Sequence, residues 1–259
     1  MTQSVLKTEE LTLGYGEKVV IDNLSLAFPD RQMTSILGPN GCGKSTLLRA
    51  LARLLRPAQG TVTLDGEDVF ALDTRALARR LAILPQAPNA PDGITVMELI
   101  KRGRTPWRGL LAAWSAQDLE KCTAALRHVG LDEQMDRQLN TLSGGQRQRA
   151  WIALVLAQDT PYLLLDEPTT WLDLRHQLEV LALLRERNRR EGTTVVTVLH
   201  DLNLAARYSD HLVLLGPSGL VAKGAPDEVL NEDNLRQAFG LKAMVTPDPV
   251  TGTPMIVPR

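Results

Sequence analysis

The chain has 259 residues, 44% hydrophobic and 23% charged, with 29 basic side chains against 30 acidic ones and a net charge of −1; it is long enough for a sizeable core and lacks the charge excess that nucleic acid or an anionic membrane attracts. The N-terminal stretch Met1–Lys7 has no apolar signal region, and the longest apolar run, Ala150 to Ala157, falls far short of the about 20 residues that cross a bilayer. Cys42 and Cys122 stand too far apart in sequence for a metal-type or redox pair, and two free thiols fit a reducing cytosol.

In chain order, Leu11-Thr12-Leu13 and the stretch from Val19 to Phe28 predict two strands joined around Gly14-Tyr15-Gly16. Tyr15 is an exposed-loop aromatic with two open roles, stacking on a base or packing under its loop. Met33 to Leu37 reads as a buried strand, and Leu47, Leu48, Leu51, Leu54 and Leu55 recur at helical spacing. Between them, Gly38-Pro39-Asn40-Gly41-Cys42-Gly43-Lys44-Ser45-Thr46 matches G-x-x-x-x-G-K-[ST], a phosphate-cradling loop. Its glycines let successive N–H groups turn inward toward an anion, and the following helix adds its positive end. Lys44 can then reach the β- and γ-phosphates, and Ser45 can ligate Mg²⁺. A glycine-rich turn before a core helix is the plainer alternative, and the strand–loop–helix setting argues against it. Cys42, close to a helix N-terminus, is expected to have a lowered thiol pKa, or else to be a tolerated variable position of the loop.

After a turn at Pro57–Gly60, the chain predicts a strand at Thr61–Leu64, a turn at Asp65-Gly66, a helix from Leu72 to Arg80 and a strand at Leu81–Leu84 ending in Pro85-Gln86. Ala87 to Gly93 reads as a hinge. The stretch 87–157 then shows helices and no convincing strand: Val96 to Gly103, and Ser115 to Val129 with Ser115 as N-cap, Asp118 at the third helical position and Gly130 as the stop. Strand–helix alternation resumes with Tyr162–Leu165, ending at Asp166-Glu167-Pro168. Next come a helix from Leu174 to Glu191 stopped by Gly192, a strand from Thr193 to Leu199 that delivers His200, and a helix from Asp201 to Tyr208. The arginines at 185, 187, 189 and 190 fit a solvated helix face. His211–Leu215 and Leu220–Lys223 suggest a hairpin about Pro217-Ser218-Gly219. Short helices and an aperiodic tail with Pro247, Pro249, Pro254 and Pro258 close the chain. The expected organisation is one α/β domain: a core over 1–86 and 158–224 that includes an N-terminal antiparallel β subdomain, a helical insertion over 87–157, and C-terminal helices with an irregular tail over 225–259.

Several chemical groups fall at strand ends, where open α/β sheets bind ligands. Asp166 and Glu167 are adjacent carboxylates after an apolar strand, a costly burial unless a cation shares the site. Asp166 is placed to hold Mg²⁺ beside Ser45, and Glu167 to polarise an attacking water. Gln86 is placed to sense Mg²⁺ and the γ-phosphate, although a strand-end glutamine taken alone is usually just exposed. His200 can hydrogen-bond the γ-phosphate, although a lone histidine is more often structural.

Leu142-Ser143-Gly144-Gly145-Gln146, followed by Arg-Gln-Arg-Ala and lying between the phosphate loop and Leu-Leu-Leu-Asp-Glu-Pro, resembles the signature motif of ABC-type ATPases. The family's motifs occur in order from Tyr15 to His200. The resemblance implies a P-loop ATPase core using ATP and Mg²⁺, with Tyr15 on the adenine, Gln86 in the Q-loop, Glu167 as catalytic glutamate and His200 as switch histidine. It also implies that the nest at Ser143–Gln146 faces the γ-phosphate held by a second copy of the chain, so that two ATP molecules lie between two head-to-tail subunits. Thr170-Trp171-Leu172-Asp173 occupies the D-loop along that seam, with Trp171 departing from the commoner alanine. Without a membrane span, the resemblance implies separate integral membrane permease subunits, a periplasmic or lipoprotein substrate-binding protein, and a place on the cytoplasmic face of a bacterial inner membrane. Residues 166–173 and 198–203, Gly103-Arg104-Thr105-Pro106-Trp107 and Gly252-Thr253-Pro254 are similar to the ATPases of ferric-siderophore importers, with those for vitamin B12 and haem close by. Gly103–Trp107 is then either a permease contact or a surface loop with a partly buried tryptophan. A soluble non-transport ABC ATPase is the remaining alternative; a DNA-repair relative would carry a long heptad insertion, which is missing.

Overall fold

The computed structural model describes residues 4–109 and 113–259. Residues 1–3, part of the N-terminal stretch read above, lie outside them. Strands β1 (Ser4–Tyr15) and β2 (Lys18–Pro29) pair antiparallel, with Tyr15 opposite Lys18. Strand β2 matches its predicted stretch to within one residue at each end, whereas β1 begins well before Leu11, because bulges break the period-2 pattern: the register shifts between Thr8 and Leu13, and Glu10 adopts positive φ. Strand β3 (Met33–Leu37) is buried at every residue and runs into the phosphate loop and helix α1 (Lys44–Leu51). That helix ends before Leu54 and Leu55, where Arg53 turns into the left-handed region. Strands β4 (Gln59–Leu64) and β5 (Glu67–Asp68) complete an antiparallel sheet of order β2-β1-β4-β5.

Helix α2 (Thr74–Arg80) starts two residues later than predicted because the Asp73 carboxylate accepts the N–H groups of Arg75 and Ala76. Strand β6 (Leu81–Leu84) follows. Helix α3 (Val96–Lys101) opens on a capping box between Thr95 and Glu98 and tightens into a 3₁₀ segment, Arg102–Trp107. Gly103 lies inside that segment, where a Cβ would come within 2.4 Å of the Leu154 carbonyl oxygen. It is therefore a close-approach glycine. Helix α4 (Ala116–His128) has the predicted Ser115–Asp118 capping box, and helix α5 (Gly144–Gln158) has one between Ser143 and Gln146. Among the described residues, no strand separates β6 from β7 (Tyr162–Asp166); Thr95 and Gln138 form only an isolated bridge.

Helix α6 (Leu174–Glu191), strand β8 (Thr194–Val198), helix α7 (Leu202–Tyr208) and strands β9 (His211–Gly216) and β10 (Gly219–Gly224) come next. Helices α8 (Pro226–Val229) and α9 (Glu232–Phe239) lead into the tail. The tail is not irregular, as its prolines suggested. Strands β11 (Ala243–Pro247) and β12 (Pro254–Pro258) form a hairpin with Pro247 opposite Pro254 and Pro258 opposite Ala243. Prolines at strand ends remove no interior ladder bond, so they do not disfavour the pairing.

The central sheet has the order β10-β9-β3-β8-β7-β6, and every neighbouring pair from β9 to β6 is parallel. Alternate residues feed different cores. Leu37, Leu163, Leu165 and Val195 pack with the helical side, and Ile36, Leu164, Val196 and Val213 with α1 and the antiparallel sheet. With both faces covered, these strands are uniformly apolar. Parallel order also sends the C-terminal ends of β3, β8, β7 and β6 to one edge, so Gly38, His200, Asp166-Glu167 and Gln86 converge there.

Candidate active site

The phosphate loop keeps its shape because two positions exclude side chains. A Cβ on Gly38 (φ 149°) would sit 2.4 Å from the Leu215 carbonyl oxygen, and one on Gly43 (φ 102°) 2.8 Å from Ile21. Gly43 is the N-cap of α1 and has no side chain to cover the first N–H groups. Pro39, Asn40 and Gly41 form the outer turn, and the N–H of Cys42 donates to the Pro39 oxygen at 3.4 Å. Lys44 is 5% exposed, and its Nζ donates to the carbonyls of Gly38 (2.8 Å) and Pro39 (2.9 Å), which hold the ammonium against the loop. Thr46 is buried beside it.

Cys42 corrects its expectation. Burial pushes the thiol above its ordinary value and outweighs the charge of Lys44 and the nearby N–H groups, which pull the other way. Adjacency to a helix N-terminus does not make a reactive thiolate when the sulfur is tucked against the loop.

The Ser45 hydroxyl donates to Asp166 Oδ1 at 2.9 Å. Asp166 is 3% exposed, and burial raises its carboxyl pKa; the Ser45 bond opposes this, and neighbouring Glu167 adds to it. This set of hydroxyl and carboxylate oxygens fits a hard divalent cation, which needs few protein ligands when phosphate oxygens supply the rest. Glu167 follows with φ 53°, an uncommon conformation for a residue with a side chain. One carboxylate oxygen lies 2.7 Å from His200 Nε2, and the other accepts from Thr170 Oγ1 at 3.2 Å. Gln86 is exposed beyond the end of β6.

These groups share one cleft of about 570 Å³, lined by Tyr15, Lys18, Val20, Asn40, Gly41, Gly43, Lys44, Ser45, Thr46, Gln86, Glu167 and His200. Two other clefts have similar volumes, one between Asp92 and Trp114 and one beside Arg31 and Arg189. Chemistry, not size, singles out the first. Tyr15 is 47% exposed at its mouth, as a stacking platform requires.

Leu142 to Gln146 do not line that cleft. Leu142 is buried as an anchor, while Ser143 and Gly144 are exposed at the start of α5. The Ser143 hydroxyl accepts from the Gln146 N–H at 3.2 Å, and the Gln146 side-chain oxygen accepts from the Ser143 N–H at 3.1 Å. Beside this nest run residues 170–173: a Cβ on Gly145 would lie 3.4 Å from Leu172 and from the Trp171 oxygen. Leu172 is buried, Asp173 caps α6 through the His176 N–H, and Trp171 is 80% exposed with φ 69°. Sequence reasoning missed Gln148, a buried side chain that donates to the Pro168 carbonyl at 3.1 Å and ties α5 to the Glu167 loop. Its signal was a polar residue in register with buried Ile152 and Val155.

In the Gly103–Trp107 stretch, Arg104 is buried, donating to Asp118 at 3.0 Å and to the Ala157 carbonyl at 2.9 Å. The Trp107 indole donates to the Gln158 carbonyl at 2.6 Å, and its ring lies within cation–π distance of Arg79 and Arg104. At 39% exposure, its ring is accessible from solvent, as both the permease-contact and the surface-loop readings require.

A phosphate loop, a carboxylate pair and a signature helix on one α/β frame define an ATP-binding cassette. The ABC transporter family model matches residues 21–170, and the chain belongs to that family. The ferric enterobactin transport ATP-binding protein FepC of Escherichia coli (strain K12) is 51% identical over 260 residues, covering 100% of this chain and 96% of that protein. A solved metal-chelate type ABC transporter in an inward-facing conformation is 28% identical with a TM-score of 0.84, over 99% of this chain and 97% of its own. A dimeric ATP-binding cassette in a post-hydrolysis state, bound to ADP and Pi, is 29% identical with a TM-score of 0.77, over 85% and 98%.

Proposed function

We propose that this chain is the ATP-hydrolysing subunit of a bacterial importer of ferric siderophores. The observation that carries the reading is full-length identity of 51% to a ferric enterobactin transport subunit, with a cleft that gathers Lys44, Ser45, Glu167 and His200. Tyr15 stacks on the adenine at the mouth of the cleft. The loop N–H groups of 38–46 bind the phosphates, and Lys44 exchanges its two carbonyl partners for β- and γ-phosphate oxygens. Ser45 and Asp166, with Gln86 at the rim, would hold Mg²⁺, which when bound offsets charge on the transferring phosphoryl group. Glu167 orients the attacking water, and His200, 2.7 Å from its carboxylate, steadies that group and reaches the γ-phosphate.

One chain leaves Ser143 and Gly144 of the signature facing outward. A second copy of the chain, related by two-fold symmetry, would present that nest to the γ-phosphate and complete the oxyanion contacts. The dimeric, ADP- and Pi-bound relative supports this arrangement. Trp171 and Asp173 would then lie along the seam. No helix among the described residues is long and apolar enough to cross a membrane. The cargo would therefore pass through permease subunits fed by a substrate-binding protein, with this chain peripheral on the cytoplasmic face.

Deleting the gene from its host should abolish growth on a ferric siderophore as sole iron source. The wild-type chain should restore that growth, and Lys44→Ala should not. Normal growth of the deletion strain would remove the import reading.

A further inference from the structure

The element that carries His200 is held from outside the ATPase core. Strand β8 ends at Val198, and α7 begins at Leu202 with Asp201 as N-cap, its carboxylate accepting the Leu204 N–H at 2.9 Å. His200 lies between them, about half exposed, so its direction depends on where α7 sits relative to β8 and on its contact to Glu167.

Helix α7 is tied at both ends to the C-terminal hairpin. In its first turn, the Asn203 side-chain oxygen accepts the Ile256 N–H of β12 at 2.7 Å, and its Nδ2 donates to the Ile256 carbonyl at 3.4 Å. In its last turn, Arg207 donates twice to Asp248, at 2.9 and 2.5 Å. The other Asp248 oxygen accepts the N–H groups of Val250 and Thr251, which fixes the turn between β11 and β12. Ile256 is buried against the same helix. A two-point amide-to-backbone bond orients as well as holds, because rotating the helix breaks both of its arms.

We propose that Asn203 is a positioning residue for hydrolysis: docked on β12, it sets α7 and thereby aims His200 at Glu167 and the γ-phosphate. The inference rests on the ATPase reading above and extends it to the C-terminal hairpin, which the nucleotide motifs do not include. Asn203 is not among the residues that line the cleft, so its effect is on turnover and not on nucleotide binding.

The test is a double-mutant cycle on the full chain, measuring kcat, KM for ATP and thermal midpoint. Asn203→Ala should lower kcat at least about fivefold with KM unchanged. Asn203→Asp, which keeps the acceptor for the Ile256 N–H, should retain most of the turnover. In a His200→Ala background, Asn203→Ala should cost no further activity. An equal additional loss in that background, or unchanged kcat in Asn203→Ala, would overturn the proposal and leave the ATPase reading intact. A wild-type chain without ATPase activity, or His200→Ala with normal turnover, would overturn the role of His200 on which the proposal stands, and the proposal with it.

Discussion

Individual residues here trade stability against chemistry. Asp166 is buried with a raised pKa, so the fold favours its protonated form. Its ionised form therefore costs stability at neutral pH, and the penalty disappears as pH falls through the raised value. Asp166→Asn should keep or raise the thermal midpoint of the nucleotide-free chain while removing ATP hydrolysis, a separation that calorimetry and a phosphate-release assay would measure. Asp248 runs the other way. Arg207 and the N–H groups of Val250 and Thr251 hold its carboxyl at about 2. It thus stabilises the native state above the unfolded value of about 3.9, and that contribution is lost as pH falls toward the folded value. Thermal midpoints measured from pH 5 down to pH 2.5 should fall more steeply for the wild type than for Asp248→Asn. For Cys42, the raised thiol predicts that alkylation stays slow at neutral pH and accelerates only at alkaline pH beyond the ordinary thiol range, with ATP slowing it by covering the loop. Rapid labelling at pH 7 would contradict the burial.

Among the elements, the helical insertion is held to the core by close backbone approach. Gly103 shows this, since its α-carbon passes over the Leu154 carbonyl of α5. Gly103→Ala would push these segments apart at a cost of about 1–3 kcal/mol, read as a lowered denaturation midpoint. How legible the elements were depended on the signal each carries. Helix α4 was readable to its cap because Ser115 and Asp118 form a local capping box, and α6 because Gly192 closes it in the left-handed region. The full length of β1 was not, because bulges near Glu10 interrupt the alternation that marks a strand. The β11–β12 hairpin was hidden for another reason. Four prolines suggested an irregular tail, and its anchors, Asn203–Ile256 and Arg207–Asp248, lie about fifty and forty residues apart in sequence. Of the site, the residues in contiguous motifs could be named from the sequence; Gln148, which reaches the Glu167 loop through a tertiary contact, could not, and nor could the bond from Thr170 to Glu167.

At the scale of the whole molecule, the central claim is that one chain holds half of a catalytic site. The cleft gathers Tyr15, the phosphate loop, Gln86, Glu167 and His200, while Ser143–Gln146 opens elsewhere next to an exposed Trp171. A large aromatic left in solvent beside an N-terminal nest suits the centre of an interface, where such residues contribute most to affinity. Trp171→Ala should weaken ATP-driven self-association by at least about tenfold in sedimentation experiments, without changing nucleotide affinity of the monomer. The most direct test of the claim uses Glu167→Gln, which should keep nucleotide binding while removing the carboxylate proposed to orient water. With ATP and Mg²⁺, light scattering on a sizing column should find this variant at twice the monomer mass, returning to the monomer when Ser143 is also changed to Arg. A Glu167→Gln chain that binds ATP yet remains monomeric would contradict the two-chain site.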